Sequence, residues 1–284
     1  MKKSLVLGFF DGVHKAHRIV VESAFEYSDN VILLTFKESP SVYFGTPVKY
    51  ILKRENSVYK IKSLGVSDVI LQDFKDIANI SAEDYLSSLV KKYNPISIST
   101  GFNHTFGANK TGNPVFLEQN QEKYGYKYIC TPPVKDQNDI ISSSLIKTCI
   151  KNGNVERANY LLESYFMIDG KVCHGAKIGR KIGFPTANIS YPDKITELPL
   201  GVYSVDVDIP EYNKTKLRGI MNWGMKPTVN NTKEPVAEVH ILNFNEDLYG
   251  KNIIVSVLKQ IRKEKKFSNL NELKIQINED IKNA

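Results

Sequence analysis

Cysteine is scarce in this chain: Cys130, Cys149 and Cys173 are odd in number and form no C-x-x-C pair. That excludes a disulfide scaffold and a zinc finger, and it fits free, mostly buried thiols in a reducing compartment. Long apolar runs are missing as well, and nothing approaches the roughly 20 residues of a membrane span. Met1-Lys2-Lys3 followed by Leu5 to Phe10 begins like a signal peptide, but Asp11 and Gly12 cut the run and no small-residue cleavage site follows. A cytoplasmic location is expected, with no membrane partner. Arginine-rich tracts, internal repeats and low-complexity segments are also absent. The formal net charge is +7, yet the lysines are dispersed apart from a short run at Arg262–Lys266. A nucleic-acid partner is therefore not expected, whereas phosphorylated small molecules suit the charge.

What is present fits two soluble domains. The chain has 284 residues, 42% hydrophobic and 24% charged, which is long for one core. Strand and helix patterns alternate through the first half. Ser4–Gly8, Val31–Phe36, Asp68–Leu71, Ile96–Ser99 and Tyr126–Cys130 read as strands. Ala16–Tyr27, with Ile19, Val20, Ala24 and Phe25 as its apolar stripe, reads as a helix, as do Arg54–Leu64, a Ser81-capped segment to Lys92, and Pro114–Tyr124. This order predicts a doubly wound parallel-sheet α/β domain. After helices beginning at Ser142–Ser144 and spanning Val155–Leu162, the period changes. Phe166–Val172, Gly201–Val207, Leu217–Trp223, Val236–Leu242 and Asn252–Gln260 are short alternating strands, as in a small antiparallel barrel, and Asn269–Lys282 closes the chain as a helix with Leu270, Leu273, Ile277 and Ile281 on one side. The expected domains are residues 1–155 and 156–284.

Two stretches carry chemistry. His174–Asn188 reads HGAKIGRKIGFPTAN, with Gly175, Gly179 and Gly183 interleaved with Lys177, Arg180 and Lys181. Glycines allow backbone N–H groups to approach an anion. Pro185 stiffens the exit, and Thr186 and Asn188 offer two oxygen ligands on one face of an extended tail. A nucleotide-phosphate and Mg²⁺ site and a basic surface loop leading into an edge strand are both compatible with that composition. The second stretch, Gly8–His17, reads GFFDGVHKAH at a strand-to-helix turn, where phosphate binds in open α/β sheets. His14 and His17, three residues apart, share one helix face and can stabilise charge on phosphate oxygens; the alternative is two ordinary polar residues in a first helical turn.

The G-x-F-D-G-x-H-x-x-H pattern resembles nucleotidyltransferases that join a nucleoside monophosphate to a phosphorylated acceptor. Over nearly its full length the chain is similar to the bifunctional riboflavin kinase/FAD synthetases of bacteria, an adenylyltransferase domain followed by a flavokinase barrel. The resemblance implies that Gly8, Asp11, His14, His17, Ser143 and Lys147 border one ATP site and that Asn103 lies toward its flavin. In the second half, Gly175–Asn188 resembles the family's G-x-x-x-G-R-x-x-G-F-P-T-A-N loop. That implies a phosphate cradle of Gly175, Gly179, Arg180, Gly183 and Pro185, with Mg²⁺ on Thr186 and Asn188. Asn222, Gly224, Pro227 and Thr228 match a further motif. Glu238-Val239-His240 with Asp247–Gly250 matches the strand pair that carries the family's catalytic glutamate, and Arg262, Glu264 and Phe267 match the segment lying over the flavin. Glu238 sits in an alternating strand with Val236 and His240 on its face. Without the resemblance it reads as a solvated carboxylate; with it, as a general base.

Departures from the family pattern cluster in the first half. Ala16 replaces a glycine, Ser39 a histidine, Asn103 an acid, Ser144 a threonine and Lys147 an arginine; Lys147 keeps the charge but not the bidentate fork. Near the junction, Leu161–Tyr165 stands where the family often has L-L-G-R-P-Y. The expected function is ATP- and Mg²⁺-dependent phosphorylation of riboflavin to FMN and adenylylation of FMN to FAD, by a monomer or weak homo-oligomer. Two alternatives stand beside it: a flavokinase with a relic first half, and a flavin- or RNA-binding regulator without turnover.

Overall fold

A computed structural model describes residues 2–175, 178–190, 192, 194–227 and 233–284, with side chains for all of these except 178, 181, 226, 227, 233 and 234. Lys177 and Thr228, and the side chains of Lys181 and Pro227, lie outside the described residues. The chain divides into two compact units, Met1–Leu145 and Ile146–Ala284.

The first unit runs β1 (Lys3–Leu7), α1 (Lys15–Phe25), β2 (Val31–Phe36), α2 (Pro40–Tyr43), α3 (Arg54–Lys62), β3 (Asp68–Gln72), α4 (Ala82–Tyr93), β4 (Pro95–Gly101), α5 (Pro114–Gln119), α6 (Gln121–Tyr124) and β5 (Lys127–Thr131). A short hairpin, β6 (Lys135–Asp136) and β7 (Asp139–Ile140), precedes α7 (Ser143–Lys151), which begins in the first unit and whose residues from Ile146 on belong to the second. The five-stranded sheet of the first unit has the order β3-β2-β1-β4-β5, with every pair parallel. Both faces are covered, which explains the unbroken apolar run of β2. Leu5, Leu7, Ile32 and Leu34 pack with Tyr85, Leu86 and Leu89 of α4. On the opposite face, Val6, Val31 and Leu33 pack with Val20, Val21 and Ala24 of α1 and Ile61 of α3. The sheet reverses its winding between β1 and β4, which opens a crevice at their carboxyl ends.

Three local expectations change. The α1 stripe is Val20, Val21 and Ala24, while Ile19 is 40% exposed. Pro114–Tyr124 is two helices rather than one, because the Asn120 side chain donates to the Phe116 carbonyl at 2.9 Å and takes up the end of α5. Cys130, on the edge strand β5, and Cys173 are exposed rather than buried.

The second unit continues with α8 (Val155–Leu162), β8 (Phe166–Cys173), α9 (Ile178–Lys181), β9 (Ala187–Ser190), β10 (Gly201–Ile209), β11 (Lys214–Pro227), β12 (Lys233–Ile241), β13 (Asn252–Lys263) and α10 (Leu270–Lys282). Strands β10-β11-β12-β9-β8-β13 close into a barrel with antiparallel neighbours. Alternation along each strand sends Tyr203, Val205, Met221, Trp223, Ala237 and Val239 into a core where each is at most 1% exposed. The sole tryptophan satisfies its buried N–H by donating to the Leu198 carbonyl at 2.8 Å. The closing helix differs from expectation: Leu270 is 58% exposed, and the residue it buries is Asp280.

Candidate active sites

In the first unit, the turn between β1 and α1 is held in an unfavourable backbone shape. Phe10 (φ 57°), Gly12 (φ 83°) and Val13 (φ 51°) all adopt left-handed conformations. For a β-branched residue that costs on the order of 1–3 kcal/mol. Burial compensates, since Phe10 and Val13 are 2% and 0% exposed and belong to the α1-side core. The carbonyls of the turn are pinned by other elements. Thr35 and Arg54 donate to the Phe9 carbonyl, Ser143 to that of Asp11 at 3.0 Å, and Lys60 to that of Gly12 at 3.1 Å. Asp11 is 3% exposed and accepts from the Ile51 N–H at 2.9 Å, so its carboxylate braces the turn from behind.

This clamp presents two imidazoles. His14 occupies the N-cap of α1, and its ring stacks on His17 with centroids 3.6 Å apart. Both Nδ1 atoms are buried with no hydrogen-bond partner among the described residues. Burial and the charge of Lys60 lower His14 to about 4. Burial, His14, Lys60 and Arg54 likewise hold His17 well below its ordinary value, so both rings are neutral at pH 7. Lys60 itself is lowered to about 8 by burial and nearby Arg18. A cavity of about 260 Å³ is lined by His14, His17, Asn103 and Ser143, and by Ala16 and Ser144, two of the departures from the family pattern. Gly8, Asp11 and Lys147 do not line it; Lys147 lies one turn beyond Ser143 on α7. Arg54 and Lys60 carry no motif, and sequence reasoning passed over both.

The second unit builds its site from one rung of the barrel. Strand register aligns Arg262 with Val202, Val202 with Asn222, Asn222 with Glu238, and Glu238 with Asn188. All five line a cavity of about 330 Å³, together with Gly179, Thr186, Phe267 and residues of α10. A second cavity of about 510 Å³ is lined by Arg180, Pro185, Thr186 and the Asn245–Tyr249 segment. Among the described residues Thr186 lines both. His240 Nδ1 donates to the Pro185 carbonyl at 2.8 Å and fixes the loop exit to β12. Gly175 and Gly183 line neither cavity. Gly175 is nonetheless confined, since a Cβ there would lie 2.6 Å from the Asn188 amide. Among the described residues no three His, Cys, Asp or Glu side chains converge as a metal centre. The neutral oxygens of Thr186 and Asn188 suit Mg²⁺, which takes few protein ligands and completes its shell with phosphate and water.

The two units match two family models: FAD synthetase over residues 1–145 and riboflavin kinase over residues 162–284. A bifunctional riboflavin kinase/FMN adenylyltransferase of Bacillus subtilis is 33% identical across 100% of this chain and 92% of its own length. The chain belongs to the bifunctional riboflavin kinase/FMN adenylyltransferase family. The Escherichia coli member is 33% identical over 97% of this chain and 90% of its own. A crystal structure described as a macrolide-efflux protein from Streptococcus pneumoniae shares the fold, with TM-score 0.89, 33% identity, and coverage of 99% of this chain and 93% of that one.

Two expected results follow from the geometry of this family member. In the flavokinase unit, a Cβ on Gly179 would lie 2.3 Å from the Phe184 carbonyl oxygen, a backbone atom. Gly179→Ala therefore has to reshape the loop, and FMN formation should fall about tenfold or more, while FAD formation from supplied FMN stays intact; separate assays of the two steps check this. In the adenylyltransferase unit, acid should destabilise the fold. His14 and His104 are lowered to about 4 from 6.5, chiefly by burial. The unfolded chain therefore binds protons that the folded one refuses. The resulting stability is fully present above pH 6.5 and is lost as pH falls toward 4, with roughly 3 kcal/mol at stake for the buried His14. Urea midpoints measured across that interval should drop, and His104→Leu should make the drop shallower.

Proposed function

We propose that the two sites divide the work, with flavin phosphorylation in the barrel and adenylyl transfer in the α/β unit, the functional boundary falling between residues 155 and 156. The chain phosphorylates riboflavin to FMN and adenylylates FMN to FAD, using ATP and Mg²⁺. The observation that carries the kinase assignment is the rung that sets Glu238 between Asn188 and Asn222, beside a second cavity that meets the first at Thr186. In the larger cavity, Arg180 and Pro185, with the loop glycines Gly175, Gly179 and Gly183 shaping the backbone, hold the ATP phosphates. Thr186 and Asn188 are the residues that would hold Mg²⁺, which neutralises phosphate charge when bound. The smaller cavity takes the flavin between the barrel and the Arg262–Phe267 segment. Glu238 accepts the proton of the ribityl 5′-hydroxyl as that oxygen bonds to the γ-phosphorus and ADP leaves.

In the α/β unit the FMN phosphate attacks the α-phosphorus of a second ATP and pyrophosphate leaves. His14 and His17 donate to the phosphate oxygens on which charge builds. Ser143 and Lys147 lie toward the nucleotide, Asn103 toward the flavin, and Gly8 and Asp11 shape the turn. No helix among the described residues is long and apolar enough to cross a membrane, and we place the enzyme in the cytoplasm as a monomer or weak homo-oligomer. Chromatography of riboflavin, ATP and Mg²⁺ incubated with pure protein tests the whole assignment. FMN and FAD should both form. Absence of FMN would reject the kinase, and FMN without FAD would make the first unit a relic.

A further inference from the structure

Arg262 ends the catalytic rung, yet its guanidinium faces another protein group. Nε donates to both carboxylate oxygens of Asp280, at 2.9 and 3.0 Å, and Nη2 donates to Oδ2 at 2.9 Å. Gln276 Nε2 donates to Oδ1 at 3.1 Å, and Nη1 of Arg262 reaches the Lys263 carbonyl at 3.2 Å. Phe267 lies against the same guanidinium, 5.6 Å from ring centroid to Cζ. Asp280 is 1% exposed. Its negative charge thus offsets that of Arg262 inside the wall of the cavity, so the pair adds no net charge there. Such a wall suits an uncharged ring system better than an anion.

The same pair fastens α10. That helix buries Asp280 fully, whereas Leu270 and Ile275 are 58% and 65% exposed, so apolar packing alone holds it weakly. Leu273 and Ile277, on the Asp280 side, line the same cavity as Glu238. A two-point ion pair fixes both the distance and the rotation of a helix, which a single hydrogen bond does not.

We propose that Asp280 is a positioning residue for the acceptor: through Arg262 it locks α10 as the roof of the 330 Å³ cavity and so sets the affinity for the uncharged flavin ring, leaving the nucleotide cavity untouched. This rests on the flavokinase assignment above. The nucleotide cavity includes neither Arg262 nor any α10 residue, so the effect is confined to one substrate.

The test is steady-state kinetics of FMN formation with each substrate varied in turn. Asp280→Asn keeps the shape but removes the charge; the KM for riboflavin should rise about tenfold, with the KM for ATP and kcat within about threefold of wild type. Arg262→Met/Asp280→Leu should be no worse than either single change, because the two residues act as one unit. An unchanged riboflavin KM in Asp280→Asn, or equal rises in both KM values, overturns the proposal. Should Asp280→Asn fail to fold, Gln276→Ala removes only the bond that braces Asp280; it should raise the riboflavin KM about two- to threefold, and no change there is equally fatal. A wild-type protein that makes no FMN rejects the kinase assignment itself, an outcome distinct from these.

Discussion

Glu238→Gln should lower FMN formation by about a hundredfold or more, the contribution of a positioned general base, with the fold and the FMN-to-FAD step unchanged. Two features of the rung support this. Glu238 lies on the half-exposed face of β12 while Ala237 and Val239 beside it are fully buried, so the amide replaces the carboxylate without disturbing the core. Its register partners Asn188 and Asn222 are neutral, so the carboxylate is the one group among the three able to take a proton. Phosphoryl transfer draws most of its rate from positioning and charge neutralisation, and those survive in the variant. The residual rate should therefore remain measurable, with nearly unchanged KM values for both substrates. A variant with normal kcat would place the base elsewhere; one with normal kcat and a raised riboflavin KM would recast Glu238 as a binding group.

The second large effect belongs to the other unit. His14→Ala should reduce FAD formation from FMN by about a hundredfold and leave FMN formation from riboflavin as it was. His14 contributes more than one donor. Its ring is the stacking partner of His17 at 3.6 Å, so removing it frees the second imidazole as well. Because the side chain is 3% exposed, the variant also leaves a void that lowers stability by about 1–3 kcal/mol. His14→Gln, which fills the space and offers an amide donor, separates the two contributions: stability should recover more fully than FAD synthesis. Equal loss of both products in the alanine variant would argue against two separate sites.

How far the sequence alone carried these conclusions depended on which forces were local. Helix Val155–Leu162 is readable to the residue because its cap, Asn154, directly precedes it and its apolar stripe lies within it. The strand Val31–Phe36 was readable because burial on both faces left a continuous apolar run. The face alternation of β12 was plain from period two, and with it the orientation of Glu238. Other features depend on distant neighbours. The left-handed Val13 is set by the core that its side chain enters, and nothing nearby in the chain announces it. Lys60 sits in a helix rich in lysine, and only the tertiary fold brings it beneath the Gly12 carbonyl. Asp280 leaves only a faint trace, as a carboxylate that continues the spacing of Leu273 and Ile277 along an apolar stripe, and nothing local marks it as the residue that the helix buries. Leu270 shows the converse: its spacing continues the stripe, but its side chain is 58% exposed.

The rung that joins Arg262, Val202, Asn222, Glu238 and Asn188 also bears on which changes of chain length this enzyme can survive. These residues come from five strands and meet only because their hydrogen-bonded registers agree. Losing or gaining a single residue within a regularly paired stretch would turn every side chain beyond it to the opposite side of the wall, unless a bulge absorbed it as one does between Val202 and Tyr203 opposite β13. Length variation is most compatible with activity in a connection that lines neither cavity, such as 210–213. Insertions placed there should leave the flavokinase working, whereas the Asn245–Tyr249 connection lines the 510 Å³ cavity and insertions in it should lower activity.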